Sequence, residues 1–343
     1  MHFAKYITPR IKDIIRNSIP YRYAYLRSIT LSKAPFAVNI ELTNRCNLKC
    51  TICPRPHIKD LALKDMDFGL FKRIVDEVSA FSGRRTCFYL VGLGEPLLYP
   101  RLDEAIRYLR KTCPKNPIHL STNGVMLDRD KSAMLCHNLG LKSIMDLSGG
   151  GDRLLVSLNA GDRKAYNSMM GSDEFGRVTE NILDFIDVRR TIGDGPNLVI
   201  QVIRTKSTKR QIDDFIDHWK PLIRKSDHLH VRDLFNWGGQ IDTSESTHEI
   251  QGRYPCISLW IGLVVDVNGN VYPCCEALST REKSGLLMGN IGEKPLKDIY
   301  YGKIGEFRSA HINSEWDRIS ECERCDFWSG NPNIWIKWGN RWV

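Results

Sequence analysis

The 343 residues predict an α/β chain: a partial (β/α)6 TIM-like barrel followed by a small cysteine-bearing C-terminal domain. Three observations carry that expectation. Between residues 36 and 240, short apolar β-rich runs alternate with amphipathic stretches, the pattern of parallel strands with helices outside. Cys46, Cys50 and Cys53 stand together directly after the first of those runs. A second set, Cys256, Cys274, Cys275, Cys322 and Cys325, lies wholly beyond Tyr254.

Composition bounds the rest. At 42% hydrophobic and 26% charged, the chain is globular rather than disordered, and its length suggests about two domains. No apolar run reaches the ~18 residues of a membrane span. The opening Met1-His-Phe-Ala-Lys-Tyr lacks the apolar stretch of a signal peptide. The 11 cysteines are odd in number and spaced like metal ligands, so a reducing, cytoplasmic setting is expected. The net charge of +9 suits an anionic substrate, a nucleic acid or a membrane surface. No run of five Lys or Arg and no nucleic-acid-reading motif occurs, so no nucleic-acid partner is expected.

Residues 1–35 form a basic, aromatic extension. Ile7, Ile11, Ile14 and Ile15 recur at helical spacing, and Pro20 is expected to end that helix. The segment either packs on its own domain or lies on a membrane surface. It is too short to be a peptide-recognition domain of winged-helix type. The barrel follows over 36–240. Its expected strands are 36–42, 86–92, 117–121, 153–158, 197–204 and 228–233. Its expected helices are 68–80, 102–111, 129–138, 174–190 and 208–222. Such barrels do chemistry at the C-terminal ends of their strands, which is where the first cysteine loop falls.

That loop has the spacing C-x3-C-x2-C, which turns three thiolates toward one point. Soft thiolates at this density select iron–sulfur clusters or zinc. A structural zinc takes four protein ligands, and His57 is the nearest candidate for a fourth. Three thiolates on a four-iron cluster leave one iron open to a cofactor.

Later strand ends carry matching groups. In Gly92-Leu93-Gly94-Glu95-Pro96 the glycines let backbone approach a ligand, and Glu95 can accept from an ammonium. Ser121-Thr122-Asn123-Gly124 and Ser157-Leu158-Asn159 offer hydroxyls and amides. Arg204 can pair with a carboxylate bidentately. Each of these also reads as a plain turn or cap. Asp146 to Asp152 is glycine-rich but lacks the P-loop Lys, so a flexible connector is expected. Asp233 to Gly239 closes the barrel, with aromatics that wall a substrate pocket or pack the joint. Residues 241–253 are polar and read as a linker.

The domain at 254–343 is built on a hairpin. Asn268-Gly269 between apolar runs signals a type I′ turn, which brings Cys256 and Cys274 together at the open ends. Cys322-Glu-Arg-Cys325 points two thiolates one way. Four thiolates there saturate a [4Fe–4S] cluster or a zinc ion. Cys275 is the ligand in place of Cys274, an idle neighbour, or a hydrogen-atom donor. Cys87, Cys113 and Cys136 fall in barrel elements and read as buried small apolar residues.

Glu-Leu-Thr-Asn-Arg-Cys46-Asn-Leu-Lys-Cys50-Thr-Ile-Cys53-Pro resembles the signature of the radical SAM (S-adenosylmethionine) superfamily. The resemblance implies that Cys46, Cys50 and Cys53 hold a [4Fe–4S] cluster whose open iron binds SAM. Reductive cleavage of SAM then gives a 5′-deoxyadenosyl radical that abstracts hydrogen from a substrate carbon. It also implies that Gly92, Gly94 and Glu95 form the motif holding the SAM amino group, with Ser121, Asn123, Ser157 and Arg204 as further SAM contacts. Ile52 stands where relatives often carry an aromatic.

The C-terminal pattern resembles a SPASM/Twitch domain. That implies one auxiliary [4Fe–4S] cluster on Cys256, Cys274, Cys322 and Cys325, since no cysteine follows Cys325. The implied activity is that of an oxidoreductase or epimerase, by dehydrogenation or epimerisation, with Cys275 as the hydrogen-atom donor in the second case. The implied substrate is small and polar, carbohydrate-like and possibly phosphorylated; the alternative is a peptide. An electron donor such as flavodoxin or ferredoxin is implied. A non-catalytic zinc-binding protein is the reading outside enzymology.

Overall fold

A computed structural model describes residues 18–81, 85–142, 151–250, 252–330, 333–339 and 341–342. The expected helix on Ile7 to Ile15 and residues 146–150 of the expected connector lie outside those residues. Pro20 does not end a helix. It sits in the first turn of α1 (Ile19–Thr30), where the N–H that proline lacks would have no partner anyway.

The six barrel strands form where alternation placed them: β1 (Ala37–Ile40), β2 (Cys87–Leu90), β3 (Ile118–Thr122), β4 (Arg153–Asn159), β5 (Asn197–Arg204) and β6 (His228–Asp233). They are parallel and adjacent in chain order. The connecting helices are α2 (Phe68–Ser79), α3 (Leu102–Thr112), α4 (Arg129–Asn138), α5 (Arg163–Met170), α6 (Phe175–Ile192) and α7 (Ile212–Trp219). α5 was not expected from the sequence. It is a short helix with Asp162 as its N-cap and Gly171 as its left-handed C-cap, so only its ends carry a local signal.

One face of each strand packs on the helices. Val38, Ile40, Phe88, Leu90, Leu120, Leu154, Val156, Leu198 and Ile200 are all fully buried. The other face is mixed and looks into the barrel. Tyr89, His119 and Arg153 stand side by side on neighbouring strands, as do Ser157, Gln201 and His230.

The C-terminal region does not build a separate sheet. β7 (Gly262–Val265) lies parallel to β1, and β8 (Asn270–Tyr272) and β9 (Gly289–Asn290) extend the same sheet to nine strands. α8 (Ser258–Ile261), α9 (Leu296–Ile312) and α10 (Ser320–Arg324) complete this region. The hairpin turn is not type I′. Gly269 has positive φ and Asn268 does not. Asp266 accepts from the backbone of Asn268 and Asn270, which favours a type I turn closed by a left-handed Gly.

Residues 241–250, expected as a linker, are tied to the strand ends. Lys206 N–H donates to the Glu245 carbonyl, Ser246 bridges to Thr205, and Ile241 is buried. Among the described residues no helix is long and apolar enough to cross a membrane.

Candidate functional site

The first cysteine loop leaves the end of β1 and is clamped from behind. Arg55 donates to the Asn44 carbonyl at 2.9 Å and to the Leu48 and Cys46 carbonyls at 3.4 Å. Thr51 N–H donates to the Met169 carbonyl at the end of α5. Neither contact was legible in the sequence. Cys46, Cys50 and Cys53 are half-buried and near enough to raise one another. Burial first and the Cys53 and Cys46 neighbours second push Cys50 up to about 12. Burial pushes Cys53 up to about 11 and raises Cys46. Thiolates held this way need a cation to ionise, which a coordinated metal supplies. His57 is exposed and faces an outer cleft with Lys59, Asn268 and Glu282, so it is not the fourth ligand.

Gly92 and Gly94 have a steric task. A Cβ on Gly94 would overlap the Thr43 and Arg45 carbonyls, and one on Gly92 would overlap the Glu41 side chain. Their bareness lets the β2 loop lie directly on the approach to Cys46. Glu95 is already engaged within the fold. It is buried and accepts from Thr122 Oγ1 at 2.7 Å, Asn123 N–H at 2.7 Å and Leu97 N–H at 3.0 Å. Burial raises its pKa; the three donors oppose that and lock the β2 and β3 loops together. Asn123 is thereby aimed at the cysteine loop, donating to Asn47 Oδ1 at 2.8 Å and to Cys46 Sγ at 3.8 Å.

Ser121 and Ser157 lie half-buried on β3 and β4. A bulge after Ser157 places Asn159 at positive φ, where its side chain meets Gln201 and Met170. Arg204 is paired within the fold. Its Nε and guanidinium donate to the two oxygens of Asp233 at 3.0 Å; two adjacent strand ends bring the fork and the carboxylate together. Phe235 packs the joint, with its ring against the Gly330 backbone and at 5.7 Å from Phe327.

The second cysteine set converges. Cys256, Cys274, Cys322 and Cys325 line one cavity, together with Arg253, Glu276 and His311. Cys275 is not among its lining residues. Its Sγ donates to Glu276 Oε1 at 3.8 Å, and burial, then Glu276, raises its pKa against the pull of Arg232. Arg232 comes from β6 and lies over Phe235 and Phe327. Cys275 therefore lies outside the four-thiol lining, within reach of the charge on Arg232 of β6.

The cavity wall carries polar atoms with no partner among the described residues: His311 Nε2, Arg253 Nε and Glu276 Oε2. Burial pushes Glu276 up to about 7 and His311 down to about 4. Burial pushes Cys322 up to about 12, then Cys256 adds to it. Four soft donors and orphaned polar atoms around one space fit a sulfur-ligated cluster. Among the described residues no three His, Cys, Asp or Glu close on a single-ion site. Cys46, Cys50 and Cys53 offer three thiolates, which fits a four-iron cluster with one iron open. Cys113 and Cys136 are buried as expected, and Cys87 is half-buried.

Residues 40–214 match the family model of the Radical SAM superfamily, and residues 256–326 match that of an iron-sulfur cluster-binding domain, SPASM. Among curated proteins, the chain is 26% identical over 333 residues to the tungsten-containing aldehyde ferredoxin oxidoreductase cofactor-modifying protein of Pyrococcus furiosus, covering 84% of this chain and 88% of that one. It is 24% identical over 296 residues to the S-adenosyl-L-methionine-dependent 2-deoxy-scyllo-inosamine dehydrogenase of Niallia circulans, covering 84% and 92%. Among solved structures, BtrN in complex with AdoMet and 2-DOIA superposes with a TM-score of 0.56 at 22% identity, over 86% of this chain and 94% of that one. Streptococcus suis SuiB bound to S-adenosylmethionine gives 0.62 at 18% identity, over 95% and 79%. These two likenesses are of fold.

Proposed function

The chain belongs to the radical SAM superfamily and carries a SPASM iron–sulfur domain, and from that premise we propose that it oxidises or epimerises a carbon of a small polar substrate held between its two cysteine sets. The family implies SAM, a [4Fe–4S] cluster and auxiliary iron–sulfur chemistry. When bound, SAM and its cluster supply a 5′-deoxyadenosyl radical. Cys46, Cys50 and Cys53 would hold that cluster, with Asn123 braced against Cys46. Cys256, Cys274, Cys322 and Cys325 would hold one auxiliary cluster, able to accept an electron.

The observation that carries this reading is the parting of Cys274 and Cys275. Cys274 lines the four-thiol cavity and Cys275 does not. A thiol that ligates nothing keeps its S–H, and here that thiol lies within reach of the charge on Arg232 of β6. Burial and Glu276 hold the thiol protonated, the state a hydrogen-atom donor needs. Passing that hydrogen atom to the opposite face of the substrate carbon radical would give the epimer and leave a Cys275 thiyl, which one electron from the auxiliary cluster and a proton would restore. Oxidation of an alcohol instead requires the electron acceptor that the four cysteines would hold nearby. Arg232 forms no salt bridge among the described residues, although Glu276 and Asp326 lie near enough to feel its charge; a substrate carboxylate or phosphate would give it a direct partner.

The 2-deoxy-scyllo-inosamine dehydrogenase relative supports a carbohydrate-like substrate. The SuiB fold, solved with its precursor peptide SuiA, keeps a peptide as the second reading. A flavodoxin- or ferredoxin-type donor in the cytoplasm would supply the electron. The first test needs no substrate: anaerobically reconstituted protein with dithionite and SAM should form 5′-deoxyadenosine, and its failure to do so sinks the proposal. The second separates the outcomes. With a turned-over substrate in D2O, solvent deuterium in the product that vanishes in Cys275→Ala supports epimerisation. A ketone formed by Cys275→Ala at the normal rate removes the donor role.

A further inference from the structure

The mechanism leaves one buried donor in the C-terminal cavity unused. His311 lies in the last turn of α9 and is 1% exposed. Its Nδ1 accepts a hydrogen bond from the backbone N–H of Cys256 at 3.1 Å. A neutral ring that accepts at Nδ1 carries its proton at Nε2. That Nε2–H has no partner among the described residues, although His311 lines the same cavity as the four thiols. A buried donor left unpaired costs about 1–3 kcal/mol, so the site as folded expects an acceptor there.

The position is fixed from several sides. Leu296, at the start of α9, donates its N–H to Glu77 of α2, bracing the helix on the barrel. The imidazole stands edge-on to Trp316 at 6.3 Å. Arg253 reinforces the arrangement. Its guanidinium donates to the Cys322 and Glu323 carbonyls, stacks near Trp316 and Trp328, and leaves its own Nε unpartnered. Two donors, one of them cationic, thus line a cavity whose acceptors are the four sulfurs and the unpartnered Glu276 Oε2.

We propose that His311 donates its Nε2–H to a sulfur of the auxiliary cluster and thereby sets that cluster's reduction potential. The inference rests on the reading that Cys256, Cys274, Cys322 and Cys325 hold the cluster. A hydrogen bond to sulfur favours the more negative, reduced form, so it raises the potential. His311 is a positioning and tuning residue: it touches neither substrate nor SAM.

The test uses the full chain with Cys46→Ala, Cys50→Ala and Cys53→Ala, so that only the auxiliary signal remains. If this chain holds no iron after anaerobic reconstitution, the cluster reading fails before His311 is tested. With iron present, redox titration followed by EPR compares His311→Leu and His311→Gln. The leucine removes both hydrogen bonds; the glutamine amide can accept from Cys256 and still donate. The expected result is a roughly tenfold shift toward the oxidised form for His311→Leu, about 59 mV for one electron, with iron content unchanged. His311→Gln should recover most of that shift.

An unchanged midpoint in His311→Leu overturns the proposal, as does loss of iron in both variants, which marks a ligand. A second measurement needs no variant. With 15N-histidine in the otherwise unaltered single-cluster chain, HYSCORE should show the weak nitrogen coupling of a hydrogen-bonded imidazole. No coupling, or the strong coupling of a ligating nitrogen, equally overturns it.

Discussion

Glu41 and Arg281 stand 240 positions apart and form a buried ion pair, with guanidinium nitrogens at 3.1 and 3.2 Å from the two carboxylate oxygens. Glu41 is the residue after β1, and Arg281 sits at positive φ beyond the β7–β8 hairpin. The same carboxylate accepts from Leu93 N–H in the β2 loop and from Val267 N–H in the hairpin. One side chain thus joins the approach to Cys46, the loop carrying Gly92 and Gly94, and the C-terminal region. Arg281→Met should cost about 3–5 kcal/mol, because it leaves a buried carboxylate without its partner. Urea unfolding of the anaerobic protein checks this. The double variant with Glu41→Gln should lose less than the two single losses together. Equal midpoints for Arg281→Met and the parent would show that the pair braces nothing.

Gly94→Ala should disturb the first cluster site while sparing the second. The added Cβ runs into the Thr43 and Arg45 carbonyls, and backbone cannot give way as a side chain can. After reconstitution, iron per chain should fall from about eight toward about four. The EPR signal that remains should be that of the auxiliary cluster. Full iron with normal 5′-deoxyadenosine formation would contradict the close approach.

Cys274→Ala and Cys275→Ala should part company in iron content although the residues are neighbours. Only Cys274 lines the four-thiol cavity. Cys274→Ala should lose or convert the auxiliary cluster. Cys275→Ala should keep it and alter only the product. The reverse pattern would exchange the two assignments.

His119 predicts an acid-sensitive barrel. It is buried between Tyr89, whose ring lies at 4.6 Å, and the neighbouring Arg153, and its Nε2 meets the Gly151 carbonyl at 3.1 Å. Burial first and Arg153 second lower its pKa from 6.5 to about 4. Above pH 6.5 both folded and unfolded chains hold it neutral, and the stability is fully present. As pH falls from 6.5 to 4, the unfolded chain takes up a proton that the folded one refuses. Stability should drop by roughly 3 kcal/mol across that window. His119→Gln, which can still donate to the Gly151 carbonyl, should flatten the slope of stability against pH. An identical slope in the variant would remove His119 as its source.

Much of this architecture could be read from local pattern. Each barrel strand is a short apolar run, and its partner in the sheet is the next such run, so chain order equals spatial order. The Cys46 loop is legible for the same reason: its three thiols lie within eight residues and converge whatever surrounds them. α5 escaped because its eight residues are too few for the apolar Ala165, Tyr166, Met169 and Met170 to set out a clear helical period. The hairpin turn was misread because Asn268-Gly269 favours two turn types, and the carboxylate of Asp266 chooses between them.

Residue chemistry alone was incomplete at Glu95 and Arg204. A carboxylate and a guanidinium at strand ends are the right groups to grip an amino acid, and sequence cannot show that Thr122 and Asp233 also bond to them. Arg55, Arg232 and His311 went unseen for the converse reason. Each acts on groups that only folding brings near.

By itself the sequence determined what is local: parallel strands from alternating runs, a three-thiol loop from the spacing of Cys46, Cys50 and Cys53, and soft-metal chemistry from the ligand type. The tertiary structure alone decided which of Cys274 and Cys275 faces the four-thiol cavity, that Glu41 binds Arg281, and that His311, with an unpaired N–H, lines the cavity of the four thiols. The reason is physical. Spacing along a chain sets contacts within a turn or two, whereas the partner of a buried charge or donor is set by which segments the core forces together.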